Sequence, residues 1–226
     1  GCVINDISDY KIDKLVKRTL NRPLALGSIS LIEAWSFFII LGISSICLLM
    51  QTNTLTIKIS LFFAFLIILY PLTKRFFVAP QFVLGITFGS GAIIAYSLES
   101  NIFSISLAIL YFGIIAWIIS FDTLYALEDK NDDKIIGVNS TAILWGNNSI
   151  IYSKILHIFF YICLLAIGFI NNFSYLFYMF FFILICLFIY QAKIIKEKKY
   201  IEAFKINNWV GITALVSFAI EITFIN

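Results

Sequence analysis

Long blocks of apolar residues alternate with short polar connections along the whole chain. The blocks run approximately over 28–50, 57–72, 81–98, 103–121, 150–170, 174–192 and 208–225. Most blocks are close to the roughly 20 residues that an α-helix needs to cross a bilayer. The pattern therefore predicts an all-α chain, a polytopic transmembrane helical bundle with seven spans.

The composition supports a membrane protein. Hydrophobic residues make up 61% of the chain and charged residues 13%, and the mean hydropathy is +0.98. Soluble proteins are roughly 45–50% apolar and 25% charged. Because the connections are too short for a separate soluble domain, we expect a single membrane domain over 1–226, surrounded by the lipid bilayer and without a nucleic-acid partner.

The basic residues fall almost entirely on alternate connections, and therefore on one side of the predicted bundle. These connections are 6–27, 73–80, 122–154 and 193–207. Loops on the cytoplasmic side carry an excess of Lys and Arg. The distribution predicts that this side is cytoplasmic, in a bacterial inner membrane or, alternatively, a mitochondrial inner membrane.

Two acidic stripes occur on the predicted cytoplasmic side. In each, oxygen-bearing side chains recur at steps of four or seven residues, which places them on one face of a helix. The members are Asn5, Asp9 and Asp13 in the first stripe, and Asp122, Asp129 and Asp133, with Tyr125 beside them, in the second. Because both stripes lie at the same membrane edge, we expect them to face each other.

Such a pair of stripes indicates a metal and phosphate site. Clustered carboxylates repel one another, and their hard oxygen atoms select hard cations such as Mg²⁺, which often completes its coordination with substrate phosphates. Basic residues that suit phosphate oxygens surround the stripes: Lys14, Lys17, Arg18, Arg22, Lys74, Arg75, Lys130 and Lys134. The pattern predicts an amphiphilic substrate with a diphosphate head and an apolar tail.

Other interpretations of these charges remain open. A charge run at a membrane edge is also typical of a solvated loop that fixes topology, and acidic residues can line the ion path of a transporter. Against a transporter, the acids cluster at one edge and no span carries polar residues across the bilayer. The remaining acids, near span ends, are expected to reach the headgroups: Glu33, Glu99, Glu197, Glu202 and Glu221. His157 begins a span, and we expect it to anchor at the interface.

Several motifs resemble those of the UbiA-type intramembrane prenyltransferases. The motifs are Asn5-Asp6-x-x-Asp9-x-x-x-Asp13, then Lys17-Arg18-Thr19-x-Asn21-Arg22, Tyr70-Pro71-x-x-Lys74-Arg75, Pro80-Gln81, and Asp122-Thr123-x-Tyr125-Ala126-x-x-Asp129-x-x-x-Asp133. The family fold has nine transmembrane helices, and its first acidic motif ends the second of them. The resemblance implies that seven spans of a nine-helix prenyltransferase fold are present, without the first helix and most of the second.

The resemblance also implies an activity, which is transfer of a polyprenyl group from polyprenyl diphosphate to 4-hydroxybenzoate, ortho to its hydroxyl, in ubiquinone biosynthesis. Asp122 and Tyr125 would be catalytic, next to the prenyl C1 and the phenol. The other implied roles are Mg²⁺ ligation by Asn5, Asp9, Asp129 and Asp133, support of the metal ligands by Asp6 and Asp13, and binding of diphosphate or the aromatic carboxylate by Lys17, Arg18, Arg22, Lys74 and Arg75.

Two departures from the family pattern bear on the acceptor. Ser90 stands where the hydroxybenzoate branch usually has Trp, and Asn139 where a Lys is common. Related transferases acting on haem or a dihydroxynaphthoate remain alternatives, as does an inactive truncated remnant. Gly85 and Gly89 are spaced for close helix packing, and packing is also the expected role of the aromatic residues that otherwise suit an allylic cation: Phe88, Tyr96, Trp117 and Phe121.

Overall fold

The molecule is a bundle of long apolar helices joined by short connections. This computed structural model describes residues 1–16 and 18–225. In chain order the α-helices are α1 (Cys2–Asp13), α2 (Pro23–Leu26), α3 (Leu31–Leu49), α4 (Thr54–Thr73), α5 (Pro80–Glu99), α6 (Ile105–Ile136), α7 (Thr141–Leu144), α8 (Ser149–Ile170), α9 (Tyr175–Lys196), α10 (Tyr200–Lys205) and α11 (Asn207–Ile220). Within the described residues every regular element is helical.

Seven helical segments are long and apolar enough to cross a membrane, which confirms the predicted number of spans. They are α3, α4, α5, α6, α8 with the preceding turn, α9, and the stretch from α10 through Phe224. Large apolar side chains are exposed along these helices, most completely on α3. Such a surface is stable in lipid and not in water, so the chain is an integral membrane protein.

Polar residues of the connections determine where several spans begin. At α3, the Ser30 side chain accepts a hydrogen bond from the Glu33 backbone N–H while the Glu33 carboxylate accepts one from the Ser30 backbone N–H. Asn53 caps α4 and Ser104 caps α6 in the simpler one-way form. These caps satisfy N–H groups that a helix start leaves unpaired.

Helix α6 is longer than a bilayer requires and carries the second acidic stripe. Its 32 residues extend about 48 Å, against a hydrocarbon core about 30 Å thick. The polar segment that follows the apolar block 103–121 therefore continues the same helix as far as Ile136. The stripe keeps the helical period, and the helix stops at Gly137, whose φ of 79° is left-handed and favours glycine.

Close packing around α6 holds the bundle together. α6 packs against α5 on one side and α8 on the other. A Cβ at Gly85 would lie 3.0 Å from the Ile115 side chain, and one at Gly89 would lie 3.1 Å from Tyr111. The prediction that these two glycines serve close helix packing is confirmed.

Two predictions for single residues are wrong. His157 is 1% exposed, and its ring packs edge-on against Tyr161 at 4.8 Å and Phe188 at 5.4 Å, so it lies inside the bundle. Glu221 is also 1% exposed, and its carboxylate accepts hydrogen bonds from the backbone N–H and the hydroxyl of Ser174 at 2.6 and 2.7 Å. Both side chains lie on helix faces that neighbouring elements cover.

Candidate functional site

The first acidic stripe lies on one face of α1 and borders a cavity of about 150 Å³, here called the acidic cavity. Asn5, Asp9 and Asp13 all line it. Asp9 is 1% and Asp13 6% exposed, because α1 packs against α4 and the short α2. The four-residue period therefore has the structural outcome that the sequence predicts.

The second stripe, on α6, borders the same cavity. Asp122, Tyr125, Asp129 and Asp133 line it from the C-terminal half of that helix. The two stripes are far apart in sequence, and the fold brings them to one cavity at one end of the bundle. The expectation that they face each other is confirmed.

Ion pairs join the two stripes to basic residues between them. Arg18 donates from Nε to the two Asp129 carboxylate oxygens at 2.9 and 3.1 Å, and its guanidinium also bonds the Tyr125 hydroxyl and lies 4.3 Å from that ring's centre. Lys74, at the end of α4, donates to Asp9. Asp129 and Asp9 therefore each have a cationic partner, and the two partners come from separate connections.

Arg22, Arg75 and Lys17, which were predicted to bind diphosphate or the aromatic carboxylate, differ in their position relative to the acidic cavity. Arg22 lines the acidic cavity and donates to both Asp6 and Asp13 at 3.0 Å. Arg75 donates to the Ser8 backbone carbonyl at 2.6 Å and is not among the residues that border the cavity. Lys17 lies outside the described residues.

Asp6 also departs from the expected cluster. It borders a larger neighbouring cavity instead of the acidic one, and burial raises its pKa while Arg22 lowers it, with a net upward shift. Its bond to Arg22 places it beside the site as a partner of that guanidinium.

One of the two oxygen atoms of the Asp9 carboxylate has no hydrogen-bond partner in the protein and could coordinate a metal ion. Burial raises the pKa of Asp9 above the ordinary value, and the Lys74 ammonium opposes that shift without cancelling it. Asp9 Oδ2 accepts the bond from Lys74, whereas Oδ1 is buried without a hydrogen-bond partner. Within residues 1–16 and 18–225, no three His, Cys, Asp or Glu side chains are arranged to hold a metal as they stand.

Two residues that were part of the quoted motifs, but received no role from them, contribute to the site. Gln81 is 5% exposed, its Oε1 accepts a hydrogen bond from the Thr141 backbone N–H at 2.9 Å, and its side chain also interacts with the Asp122 carboxylate. Tyr70 borders both the acidic cavity and the larger one. Their only sequence signal was the Tyr-Pro and Pro-Gln pairs, which specify no chemistry by themselves.

A larger cavity of about 770 Å³, here called the apolar cavity, adjoins the acidic one. Asp122 and Tyr125 border both cavities. Apolar side chains form much of its remaining wall: Ile67, Leu84, Phe88, Ile118, Phe121 and Phe204. The acidic cavity and the apolar cavity therefore lie side by side and share wall residues.

The aromatic residues singled out in the sequence divide into two groups. Phe88 and Phe121 border the apolar cavity. Trp117 stacks on Phe160 at 4.9 Å, and Tyr96 lies 6.3 Å from Phe103. The packing role predicted for all four is confirmed for Trp117, Tyr96 and Phe121, whose ring packs edge-on against Trp117 at 5.4 Å and Phe204 at 5.6 Å, while Phe88 is exposed beside the cavity.

Comparisons with known proteins agree with this arrangement. Residues 1–212 match the sequence profile of the UbiA prenyltransferase family. The 4-hydroxybenzoate octaprenyltransferase of Vesicomyosocius okutanii is 34% identical, with 98% of this chain and 82% of that protein covered. The enzyme of the same name from Pasteurella multocida is 37% identical, with 99% of this chain and 78% of that protein covered.

Solved structures are similar as well. The apo structure of a UbiA homolog from Aeropyrum pernix K1 superimposes with a TM-score of 0.85 at 24% identity, covering 98% of this chain and 84% of that one. A digeranylgeranylglyceryl phosphate synthase gives a TM-score of 0.70 at 26% identity, covering 97% and 79%. The first likeness concerns the fold alone.

Proposed function

The chain belongs to the UbiA prenyltransferase family, and from this premise we propose that it transfers a polyprenyl group from polyprenyl diphosphate to the ring of 4-hydroxybenzoate in ubiquinone biosynthesis. One observation carries the proposal: the acidic cavity and the apolar cavity adjoin, and they share Asp122 and Tyr125. An amphiphilic donor needs this combination, because its diphosphate and its hydrocarbon tail require opposite surroundings.

The diphosphate would bind in the acidic cavity. Arg18, Arg22 and Lys74 border it, and each now bonds a carboxylate. Phosphate oxygens compete for the same donors, and a guanidinium binds them through parallel hydrogen bonds. We expect these three side chains to exchange part of their carboxylate bonding for phosphate bonding when the donor enters.

The donor set also fits Mg²⁺. Carboxylate and amide oxygens border the cavity from both stripes, and Asp9 Oδ1 is buried without a hydrogen-bond partner. Asn5 and Asp9 on α1, with Asp129 and Asp133 on α6, would hold the ions, and Asp6 and Asp13, which both pair with Arg22, would support these ligands. When bound, Mg²⁺ supplies positive charge that stabilises the departing diphosphate.

The reaction itself would take place where the cavities meet. The allylic C–O bond breaks and its electron pair leaves with the diphosphate, and Arg18 and Lys74 stabilise the charge that develops there. The ring carbon ortho to the hydroxyl then forms a bond to the prenyl C1, and the proton displaced from that carbon passes to the released diphosphate. Asp122 would polarise the phenol hydroxyl, and the faces of Phe88 and Phe121 would stabilise positive charge on the allyl group.

A matched pair of variants on α6 tests the proposal. In membranes supplied with Mg²⁺, octaprenyl diphosphate and 4-hydroxybenzoate, Asp129→Asn should lower product formation by about a hundredfold or more, because it removes charge from the site that binds the donor. Glu128→Gln changes the adjacent residue, which is exposed and borders neither cavity, and should retain parental activity. EDTA should abolish activity in the parent, and excess Mg²⁺ should restore it.

The same assay separates the competing functions. Activity that survives EDTA or the Asp129→Asn change would contradict the proposed chemistry. If the protein prenylates a dihydroxynaphthoate or haem instead of 4-hydroxybenzoate, the proposed acceptor is wrong but the proposed prenyl transfer stands. That alternative follows from Ser90, a small residue on the wall of the apolar cavity, and from Asn139, which borders the acidic one.

A further inference from the structure

The apolar cavity extends along α5 away from the acidic cavity. Gln81, near the start of α5, borders the acidic cavity, and Gly91 is the last residue of this helix that borders the apolar one. Their separation of ten residue steps corresponds to about 15 Å along the helix axis. Gly91 therefore lies toward the end of the apolar cavity that is remote from the diphosphate site.

Gly91 differs from the other glycines near it on α5. A Cβ at Gly85 would meet Ile115 at 3.0 Å and one at Gly89 would meet Tyr111 at 3.1 Å, whereas one at Gly91 would meet nothing within 4 Å. Helix packing therefore accounts for Gly85 and Gly89 but not for Gly91. Gly91 is exposed, so the absence of a side chain there leaves open space where the cavity meets the surface of the bundle.

We propose that Gly91 is a specificity-determining position for prenyl chain length, because it keeps the remote end of the apolar cavity open to the distal isoprene units of the donor. The proposal rests on the proposed function. Binding of an apolar tail strengthens with each methylene that leaves water. A side chain at Gly91 would occupy space that only a long tail reaches, and would leave the space near the diphosphate unchanged.

A graded substitution series tests this role. Gly91→Ala, Gly91→Leu and Gly91→Phe are assayed with geranyl, farnesyl, geranylgeranyl and octaprenyl diphosphate, and kcat/KM is measured for each donor. The ratio of octaprenyl to geranyl kcat/KM should fall in the order Ala, Leu, Phe, by about tenfold or more for Phe. Binding of radiolabelled geranylgeranyl diphosphate, displaced by each donor, should give the same order without requiring turnover.

Gly42 provides the matched control. It lies within α3, a Cβ there would also meet nothing within 4 Å, and it borders neither the acidic nor the apolar cavity. Gly42→Phe adds the same bulk to a membrane helix and should leave the ratio between donors unchanged.

The outcomes separate this inference from the function on which it rests. If Gly91→Phe lowers kcat/KM equally for all donors, or leaves the ratio at the parental value, the role of Gly91 is refuted while the prenyltransferase function stands. If the parent and Gly42→Phe neither bind nor turn over any donor, the proposed function fails and the inference falls with it. Should Gly91→Phe not fold, the Ala and Leu variants decide the result.

Discussion

The buried amide of Gln81 is placed to hold the Asp122 carboxylate in position at the proposed reaction centre. Its Oε1 accepts a hydrogen bond from the Thr141 backbone N–H at 2.9 Å, and its side chain also interacts with Asp122. It thereby links α5, α6 and the start of α7 beside the proposed reaction centre. A side chain in this position acts through Asp122, so we regard it as a positioning residue.

The Gln81→Glu change should affect kcat more than binding. The introduced carboxylate would still accept the bond from Thr141, but it would place a second acid against Asp122 and remove the amide N–H. We expect kcat to fall about a hundredfold, as for a small displacement of a reacting group, with little change in KM for the prenyl diphosphate. Steady-state kinetics with both substrates varied checks this split.

A second buried glutamine supplies the control for Gln81. Gln191 is 3% exposed and donates to the Ala203 carbonyl at 2.9 Å, away from both cavities. Gln191→Leu should lower the unfolding temperature and leave kcat unchanged. Equal losses of kcat in Gln81→Glu and Gln191→Leu would show that Gln81 has only a structural role.

Among the helices, the bond between Glu221 and Ser174 fastens α9 to the end of α11. Ser174 is the N-cap of α9, and the carboxylate accepts both its backbone N–H and its hydroxyl. A negative charge is also favourable at a helix N-terminus. Glu221→Gln should destabilise the protein by about 1–2 kcal/mol, because the amide loses charge-assisted bonds in a buried place.

Thermal unfolding in detergent measures this effect. Glu99→Gln, at the end of α5, changes an exposed carboxylate and should leave the unfolding temperature unchanged. Prenyl transfer should survive in both variants, because neither residue borders the proposed site. If the Glu221→Gln protein is as stable as the parent, the hydrogen bonds between Glu221 and Ser174 do not stabilise the contact between α9 and α11.

The helices and the acidic stripes were predictable because their signals are local. Apolar block length sets the number of spans, and the four- and seven-residue steps determine which side chains share a face. The apolar block 103–121 does not mark the end of α6, because the charged residues after it keep the helical period and the helix continues to Ile136. Glu221 and His157 were wrongly placed because burial depends on which neighbours cover a helix face, and no local pattern records that.

For the molecule as a whole, the sequence predicted that the stripes meet but not how their charges are balanced. The pairing of Arg18 with Asp129 and of Lys74 with Asp9 depends on the paths of two connections between helices. Those paths are set by tertiary packing. The same dependence explains why Arg75 contacts the Ser8 carbonyl instead of bordering the cavity with Lys74.

The Lys74–Asp9 pair joins α4 to α1 and should stabilise the assembled bundle. The Asp9 side chain is 1% exposed and that of Lys74 is 24% exposed. Lys74→Met leaves a buried carboxylate without its cation and should cost about 3 kcal/mol. Asp9→Asn combined with Lys74→Met should recover most of that loss, and a double-mutant cycle on unfolding free energies measures the coupling. Additive effects of the two changes would show that the pair contributes nothing.

The loss of folding stability caused by Lys74→Met should also depend on pH. Burial raises the pKa of Asp9 above its ordinary value of 3.8, and the Lys74 ammonium opposes that rise, so the variant should have a still higher pKa at Asp9. A carboxyl whose folded pKa exceeds its unfolded pKa favours folding in its protonated form, and that contribution is lost as pH rises through the folded value. The deficit of Lys74→Met should therefore be smallest near the ordinary pKa and largest once Asp9 is ionised. Unfolding measured across this pH range checks the sign, and a deficit that shrinks as pH rises would show that the buried Asp9 charge is not its cause.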